Sequence, residues 1–230
     1  MKYLLTRVLD LLSPRTCVVC GRRLGPTERS ICSVCLLHLP RTRYQQTPDD
    51  NPMARLFWGL TPVERAAALM FYHPNTDTTQ LVLELKYHQR PDIGEDMGRI
   101  MATEMQAAGF FYGIDVLLPV PLTRQRQRQR GYNQSEQLAR GISQITRIPI
   151  DCRAVARRDY GESQTRLSHY ERRENVEGSF VLCHPDRLAH RHVLLVDDVC
   201  TTGATLTALS DTIKDIAGIR ISILTLGFTK

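Results

Sequence analysis

Apolar residues in this chain fall into two rhythms. Short unbroken apolar runs predict strands at Arg65–Tyr72, Val116–Val120, Val193–Val196 and Ile221–Phe228. Between them, apolar positions recur every three or four residues and predict helices. One covers Asp77–His88, with Leu81, Leu85 and His88 on one face, and a second covers Ile93–Ala108. A third covers Ser135–Thr146, with Leu138, Ile142 and Ile145 inward, and a fourth Leu206–Ala217. Short apolar strands alternating with helices imply a parallel sheet covered on both faces. At the start, Leu4, Leu5, Val8, Leu9, Leu11 and Leu12 mark an amphipathic helix over Met1–Pro14. It is expected to pack on the body of the protein; a membrane-surface helix is the alternative.

Composition places the chain among ordinary globular proteins. Its 230 residues, 42% hydrophobic and 23% charged, suffice for one full core plus a small accessory module. No apolar run approaches the about 20 residues that span a bilayer. The opening segment is interrupted by Arg7 and Asp10 and lacks a small-residue cleavage site, so a cytoplasmic location is expected. The net charge of +6 is segregated: residues 1–45 carry eight Lys or Arg against two acids, whereas the other 185 residues carry 22 of each. The amino-terminal end is therefore the better candidate for meeting a polyanion, with a merely solvated basic surface as the alternative. Pro40–Pro52 reads as a polar linker, and the domain boundary falls near residue 45. Residues 1–45 form a helix and metal module, and residues 46–230 the main domain.

Four of the seven cysteines form Cys17-x2-Cys20 and Cys32-x2-Cys35, with 11 residues between the pairs. In a chain without an export signal such thiols stay reduced, and four thiolates meet the tetrahedral demand of Zn²⁺. All four positions being thiolate, the metal is expected to be structural. Transient or regulatory disulfides are the rival. Cys152, Cys183 and Cys200 lack comparable partners and read as small buried hydrophobes.

The densest chemistry follows the strand Val193–Val196. It ends in Asp197 and Asp198 and runs through Thr201-Thr202-Gly203-Ala204-Thr205 into a helix. Small hydroxyl residues and one glycine let backbone N–H groups wrap a phosphate at a helix N-terminus, where the helix dipole also favours negative charge. The two carboxylates suit ribose hydroxyls, or through them a bound Mg²⁺. Paired acids ending a strand also occur in P-loop nucleotidases, but no G-x-x-x-x-G-K-[ST] is present.

This segment resembles the 13-residue signature of type I phosphoribosyltransferases, and the whole chain resembles the ComF family. The family likeness rests on the four-cysteine module, Leu85-Lys86-Tyr87, Leu118-Pro119-Val120-Pro121-Leu122 and Arg130-Gly131-Tyr132-Asn133-Gln134. It extends to Ser163-Gln164, Leu167-Ser168, Glu171-Arg172 and Asn175-Val176. The resemblance implies an α/β, type I phosphoribosyltransferase fold, a mainly parallel sheet flanked by helices, with a small N-terminal four-cysteine zinc module. It implies 5-phosphoribosyl-1-pyrophosphate (PRPP), with Mg²⁺, as the small ligand, and a role in natural transformation or use of imported DNA. Asp197 and Asp198 then take the catalytic place, and Thr201, Thr202, Gly203, Ala204 and Thr205 the phosphate.

A leaving pyrophosphate needs a second anion pocket. Pro121 and Leu122 lie where similar enzymes keep that loop, and Arg124, Arg126, Arg128 and Arg130 follow at alternate positions. In an extended segment these guanidinium groups would share one side, a clamp for pyrophosphate or a nucleic-acid backbone; a solvated loop is the alternative. By resemblance Arg157–Asn175 is the loop that closes over PRPP, with Gln164 and Arg172 as matching positions, and a surface hairpin is the other reading. One departure matters: Thr201 stands where purine phosphoribosyltransferases carry an aspartate base, so purine salvage is not expected. Two functions remain. One is an Mg²⁺-dependent phosphoribosyl transfer from PRPP to an unidentified acceptor. The other is a non-catalytic accessory protein that binds single-stranded DNA or a DNA-uptake partner, with the PRPP site regulatory.

Overall fold

The computed structural model describes residues 14–74, 76–87, 90–159 and 178–229. The expected helix at Met1–Pro14, His88, and most of Arg157–Asn175 with Gln164 and Arg172 lie outside the described residues.

Four parallel strands form the main sheet: β1 (Arg65–Phe71), β2 (Val116–Pro119), β5 (His192–Cys200) and β6 (Arg220–Phe228), in the order β1-β6-β5-β2. Ala66–Met70 of β1 and Val193–Val196 of β5 are buried without a break, as strands covered on both faces require. A separate antiparallel ribbon pairs β3 (Val155–Arg157) with β4 (Phe180–Leu182). The helices are α1 (Ser33–His38), α2 (Asp77–Tyr87), α3 (Pro91–Ala107), α4 (Arg124–Arg130), α5 (Gln134–Thr146) and α6 (Ala204–Ile213). Among the described residues, no helix is long and apolar enough to cross a membrane.

Three features depart from the sequence pattern. The central strand outruns its apolar stretch, pairing Asp197 with Thr225 and Cys200 with Phe228, because the longer apolar run of β6 sets the ladder. The segment Arg124–Arg130 is helical and not extended. Thr123 caps it by accepting the Arg126 N–H, and Gly131 closes it at φ +79°, a left-handed conformation that favours glycine. Arginine and glutamine are good helix formers, and alternate positions on a helix turn away from each other, so the four guanidinium groups do not share one side. Finally, Leu138 and Ile142 are buried but Ile145, in the last turn of α5, is 38% exposed.

The stretch read as a linker is packed on the sheet. The Phe71 N–H donates to Pro40 O and the Thr42 N–H to Leu69 O, with an antiparallel bridge between Arg41 and Met70. Tyr44 is buried, edge-on to Phe71 and Phe228. At the opposite edge Ile150 bridges Leu117 of β2.

Helices α3 and α5 cross at glycines. A Cβ on Gly94 would fall 2.5 Å from Gln137 Cβ, and one on Gly98 would collide with the Leu138 carbonyl oxygen. Backbone meets backbone here, and that contact fixes where α5 begins.

Candidate functional site

The loop after β5 closes on the start of α6. Gly203 sits at φ +78° with Phe57 directly behind it, so that a Cβ there would come within 3.2 Å of the phenyl ring. Asp197 and residues 199–206 line a pocket of 50 Å³. That exceeds one water's share of liquid, about 30 Å³, and falls far short of the several hundred Å³ of an organic-ligand pocket. The space suits a small anion. At its floor the first N–H groups of α6 have no partner within the helix, and Ala204 N–H has only Thr202 Oγ1, 3.5 Å away.

Asp197 and Asp198 are buried at the end of β5, beside the pocket, and their environment is built by α5. Asn133 caps that helix, accepting the Ser135 N–H while its side-chain amide donates to Val120 O at 3.0 Å. The next two residues reach the acids: Gln134 Nε2 donates to Asp198 Oδ2 at 3.2 Å, and Ser135 Oγ donates to Asp197 Oδ1 at 2.8 Å. From α2, Lys86 Nζ lies 3.1 Å from Asp198 Oδ2. Burial, then the neighbouring Asp198 charge, push the Asp197 carboxyl well above the usual range; the Ser135 hydroxyl, the Asp198 N–H and Lys86 pull the other way.

Pro121 and Leu122 follow Val120, whose N–H donates to Val196 O, so this turn leaves the sheet beside the acids. Arg130 does not enter the pocket's lining; its guanidinium lies over the Tyr87 ring at 5.6 Å. The structure thus brings together Asp197, Thr201, Thr202, Gly203, Ala204 and Thr205, with Asp198 beside them. The residues underweighted by sequence reasoning are Lys86, Asn133, Gln134 and Ser135. The signal was present in Leu85-Lys86-Tyr87 and in Tyr132-Asn133-Gln134, which join physically: Tyr132 Oη donates to Leu85 O.

The four cysteines form a second centre. The Sγ atoms of Cys17, Cys20, Cys32 and Cys35 all lie within 4.8 Å of one another. Cys20 and Cys32 are 3.9 Å apart, close to the edge of about 3.8 Å that four Zn–S bonds of about 2.3 Å give a tetrahedron. Backbone N–H groups already point at sulfur, from Cys32 to Cys17 at 3.3 Å and from Cys35 to Cys32 at 3.4 Å. Burial raises the Cys17 thiol, but backbone N–H donors from Cys20, Cys32 and Val19 outweigh it and bring it to about 7. Burial and the three neighbouring thiols push Cys35 far up. The donor set fits a structural zinc. The module is seated on α3 by Ser30 Oγ and Arg29 on Asp96, and by Arg41 on Glu104 at 2.6 Å. Of the other cysteines, Cys200 is buried under the loop, whereas Cys152 and Cys183 are exposed and are not core residues.

No family model matches the chain. The DNA utilization protein YhgH of Escherichia coli O157:H7 is 30% identical over 202 residues, which cover 84% of this chain and 82% of that protein. The protein of the same name from Salmonella typhi is 28% identical over 211 residues, 87% and 91% of the two chains. Competence protein F of Haemophilus influenzae is 37% identical over 103 residues, 44% of this chain and 45% of that one. Among solved structures, the allosteric regulatory enzyme of purine biosynthesis superposes with a TM-score of 0.41 at 19% identity, covering 61% of this chain and 29% of that chain. The purine phosphoribosyltransferase of Pyrococcus horikoshii gives 0.35 at 17% identity, over 63% and 86%. The mixed α/β fold with its parallel sheet, the amino-terminal cysteine cluster and the near full-length likeness to YhgH together place this chain in the ComF family.

Proposed function

We propose that this protein binds PRPP at the loop after β5 and acts in the handling of imported DNA. The observation that carries the ligand is the 50 Å³ pocket at the N-terminus of α6 with two buried carboxylates at its side. Thr201, Thr202, Gly203, Ala204 and Thr205 hold the 5-phosphate through backbone amides and hydroxyls. Asp197 and Asp198 accept the ribose hydroxyls. The same reading assigns Pro121, Leu122 and Arg130, together with Gln164 and Arg172, to the pyrophosphate. The DNA role follows the names of the relatives YhgH and competence protein F. The division into a metal module over residues 1–45 and a phosphoribosyltransferase-like domain over 46–230 belongs to the same reading.

Phosphoribosyl transfer to an unidentified acceptor is the reaction that the acid pair and the phosphate loop suit. Departure of pyrophosphate leaves positive charge on the ribosyl carbon, and the carboxylates stand near that charge. Thr201 supplies no base for a purine, so hypoxanthine and guanine are not acceptors.

A second reading is favoured by α4. Its arginines Arg124, Arg126 and Arg128 are exposed and point around the helix, a better match for an extended polyanion than for one pyrophosphate. In that case the protein holds single-stranded DNA and PRPP regulates it.

Calorimetric titration of the zinc-loaded protein with PRPP, ribose 5-phosphate and inorganic phosphate tests the ligand. Saturable binding should weaken in that order, and Gly203→Val should abolish it by forcing a branched side chain onto Phe57. Absence of PRPP binding to the unaltered protein would overturn the proposal. A pyrophosphate-release screen over candidate acceptors, run beside a salt titration of single-stranded DNA binding, separates the two readings.

A further inference from the structure

Two adjacent carboxylates are the kind of donor that a Mg²⁺ ion takes directly. The residues present do not fit it. Three of the pair's four carboxylate oxygens already accept protein donors. Asp197 Oδ1 takes the Ser135 hydroxyl at 2.8 Å and the Asp198 N–H at 2.9 Å, and Asp198 Oδ1 takes the Val199 N–H at 2.6 Å. Asp198 Oδ2 takes Gln134 Nε2 at 3.2 Å and the Lys86 ammonium at 3.1 Å. Mg²⁺ demands a near-octahedral shell of oxygens at about 2.0–2.1 Å, and here it would meet two donors turned toward the same oxygen.

Gln134 presents an N–H to the pair, with Nε2 3.2 Å from Asp198 Oδ2, so it donates where a cation would need an acceptor. As it stands, Gln134 Oε1 is buried without a hydrogen-bond partner, so the protein tolerates an unsatisfied carbonyl while keeping the N–H on the carboxylate. Lys86 is held as firmly. It sits in the last turn of α2, where the helix dipole favours a cation, between Leu85, which is buried, and Tyr87, which is exposed. The Leu85 carbonyl takes the Tyr132 hydroxyl and the Tyr87 ring takes Arg130. The Lys86 side chain is 23% exposed and the Asp198 side chain 8%, a pairing shielded from water.

We propose that Lys86 is the resident counter-ion of the acid pair, so that the carboxylates meet a sugar's hydroxyls without a metal ion of their own. A divalent cation arriving with a pyrophosphate ligand is held by that ligand's oxygens and by water. The proposal deepens the PRPP reading at the same site, but its geometry belongs to the ligand-free protein, and the two fail separately.

Manganese, followed by its electron paramagnetic resonance signal, serves as the probe for a divalent-cation site in the zinc-loaded full chain. The unaltered protein and Lys86→Arg should show no saturable Mn²⁺ site. Lys86→Met should gain one, with affinity raised by roughly tenfold or more once the repelling charge is gone, and Asp198→Asn on top of it should remove that site again. Lys86→Gln serves if the methionine variant does not fold. A saturable site in the unaltered protein that Asp198→Asn abolishes would overturn the proposal, as would a folded Lys86→Met or Lys86→Gln variant that gains none. PRPP titration of the unaltered protein is read independently: its failure sinks the ligand assignment and leaves the Mn²⁺ result standing.

Discussion

Replacing Gly98 with alanine should loosen the core and the acid pair together. On an isolated helix the change would stabilise by about 1 kcal/mol, because alanine is the better helix former. Here the new methyl collides with the Leu138 carbonyl oxygen and lies 3.0 Å from Gly141 Cα, against 3.4 Å or more for an ordinary contact. Neither neighbour is a flexible side chain, so the helices must part by roughly 1 Å, thinning the packing of Met97, Met101, Leu138 and Ile142. Overpacking of this kind costs about 3–4 kcal/mol at the upper end, leaving a net loss of about 2–3 kcal/mol after the propensity gain. For a chain of this size that is a fall in melting temperature of roughly 5–10 °C. Since α5 also carries Gln134 and Ser135, their bonds to Asp198 and Asp197 lengthen, and ligand affinity falls with stability. Thermal melting and urea titration, with binding measured on the same samples well below the transition, check both. An alanine variant that melts at or above the parent temperature would refute the close crossing.

Three further outcomes are expected. Metal analysis should find about one zinc per chain, and Cys32→Ser should lose it and melt earlier; a metal-free parent with four reactive thiols would contradict the tetrahedral reading. His192 is buried, 2.8 Å from Ser222 Oγ, and burial depresses it to about 4. Its neutral form thus contributes stability that is present above the ordinary imidazole range and lost as pH falls toward 4, up to about 3 kcal/mol. Urea midpoints at several pH values should fall with acidity in the parent and less steeply in His192→Gln. Asp197 acts in the opposite sense: its raised carboxyl means that ionisation destabilises the ligand-free fold as pH rises. Asp197→Asn should therefore raise the melting temperature at neutral pH, leave it little changed in acid, and abolish PRPP binding; equal melting at both pH values would count against the crowded acid pair.

Much of the architecture is legible in the residues. Unbroken apolar runs place all four parallel strands to within a residue or two except β5, whose end is set by its partner strand and not by its own composition. The segment after Thr123 misleads because alternating Arg and Gln mimics a strand's period of two, while both residue types favour a helix once a threonine cap and a glycine stop are supplied. The acids, threonines and glycine of the loop are visible as a cluster, since one short segment carries them all. Lys86, Gln134 and Ser135 are not, because they reach Asp197 and Asp198 across more than sixty residues of chain, and only folding brings them there. The glycines of α3 and α5 are silent for the same reason: a missing side chain acquires meaning only from what lies opposite.

The strap formed by Pro40–Thr42 bears on how this protein can be cut. The sheet has two outer strands, and each has its free side covered, β1 by the strap and β2 by Pro149–Asp151. An uncovered β1 would present Ala66–Met70, apolar and unbroken, as a ready template for another chain. Cleavage at residue 45 would separate the cysteine module and strip Pro40–Thr42 from Ala68–Phe71, while Pro48 and Asn51 stay on Ala66, and the released domain should self-associate through the bared part of that edge. Besides carrying the four-cysteine cluster, the amino-terminal segment is thus the cover of an apolar sheet edge.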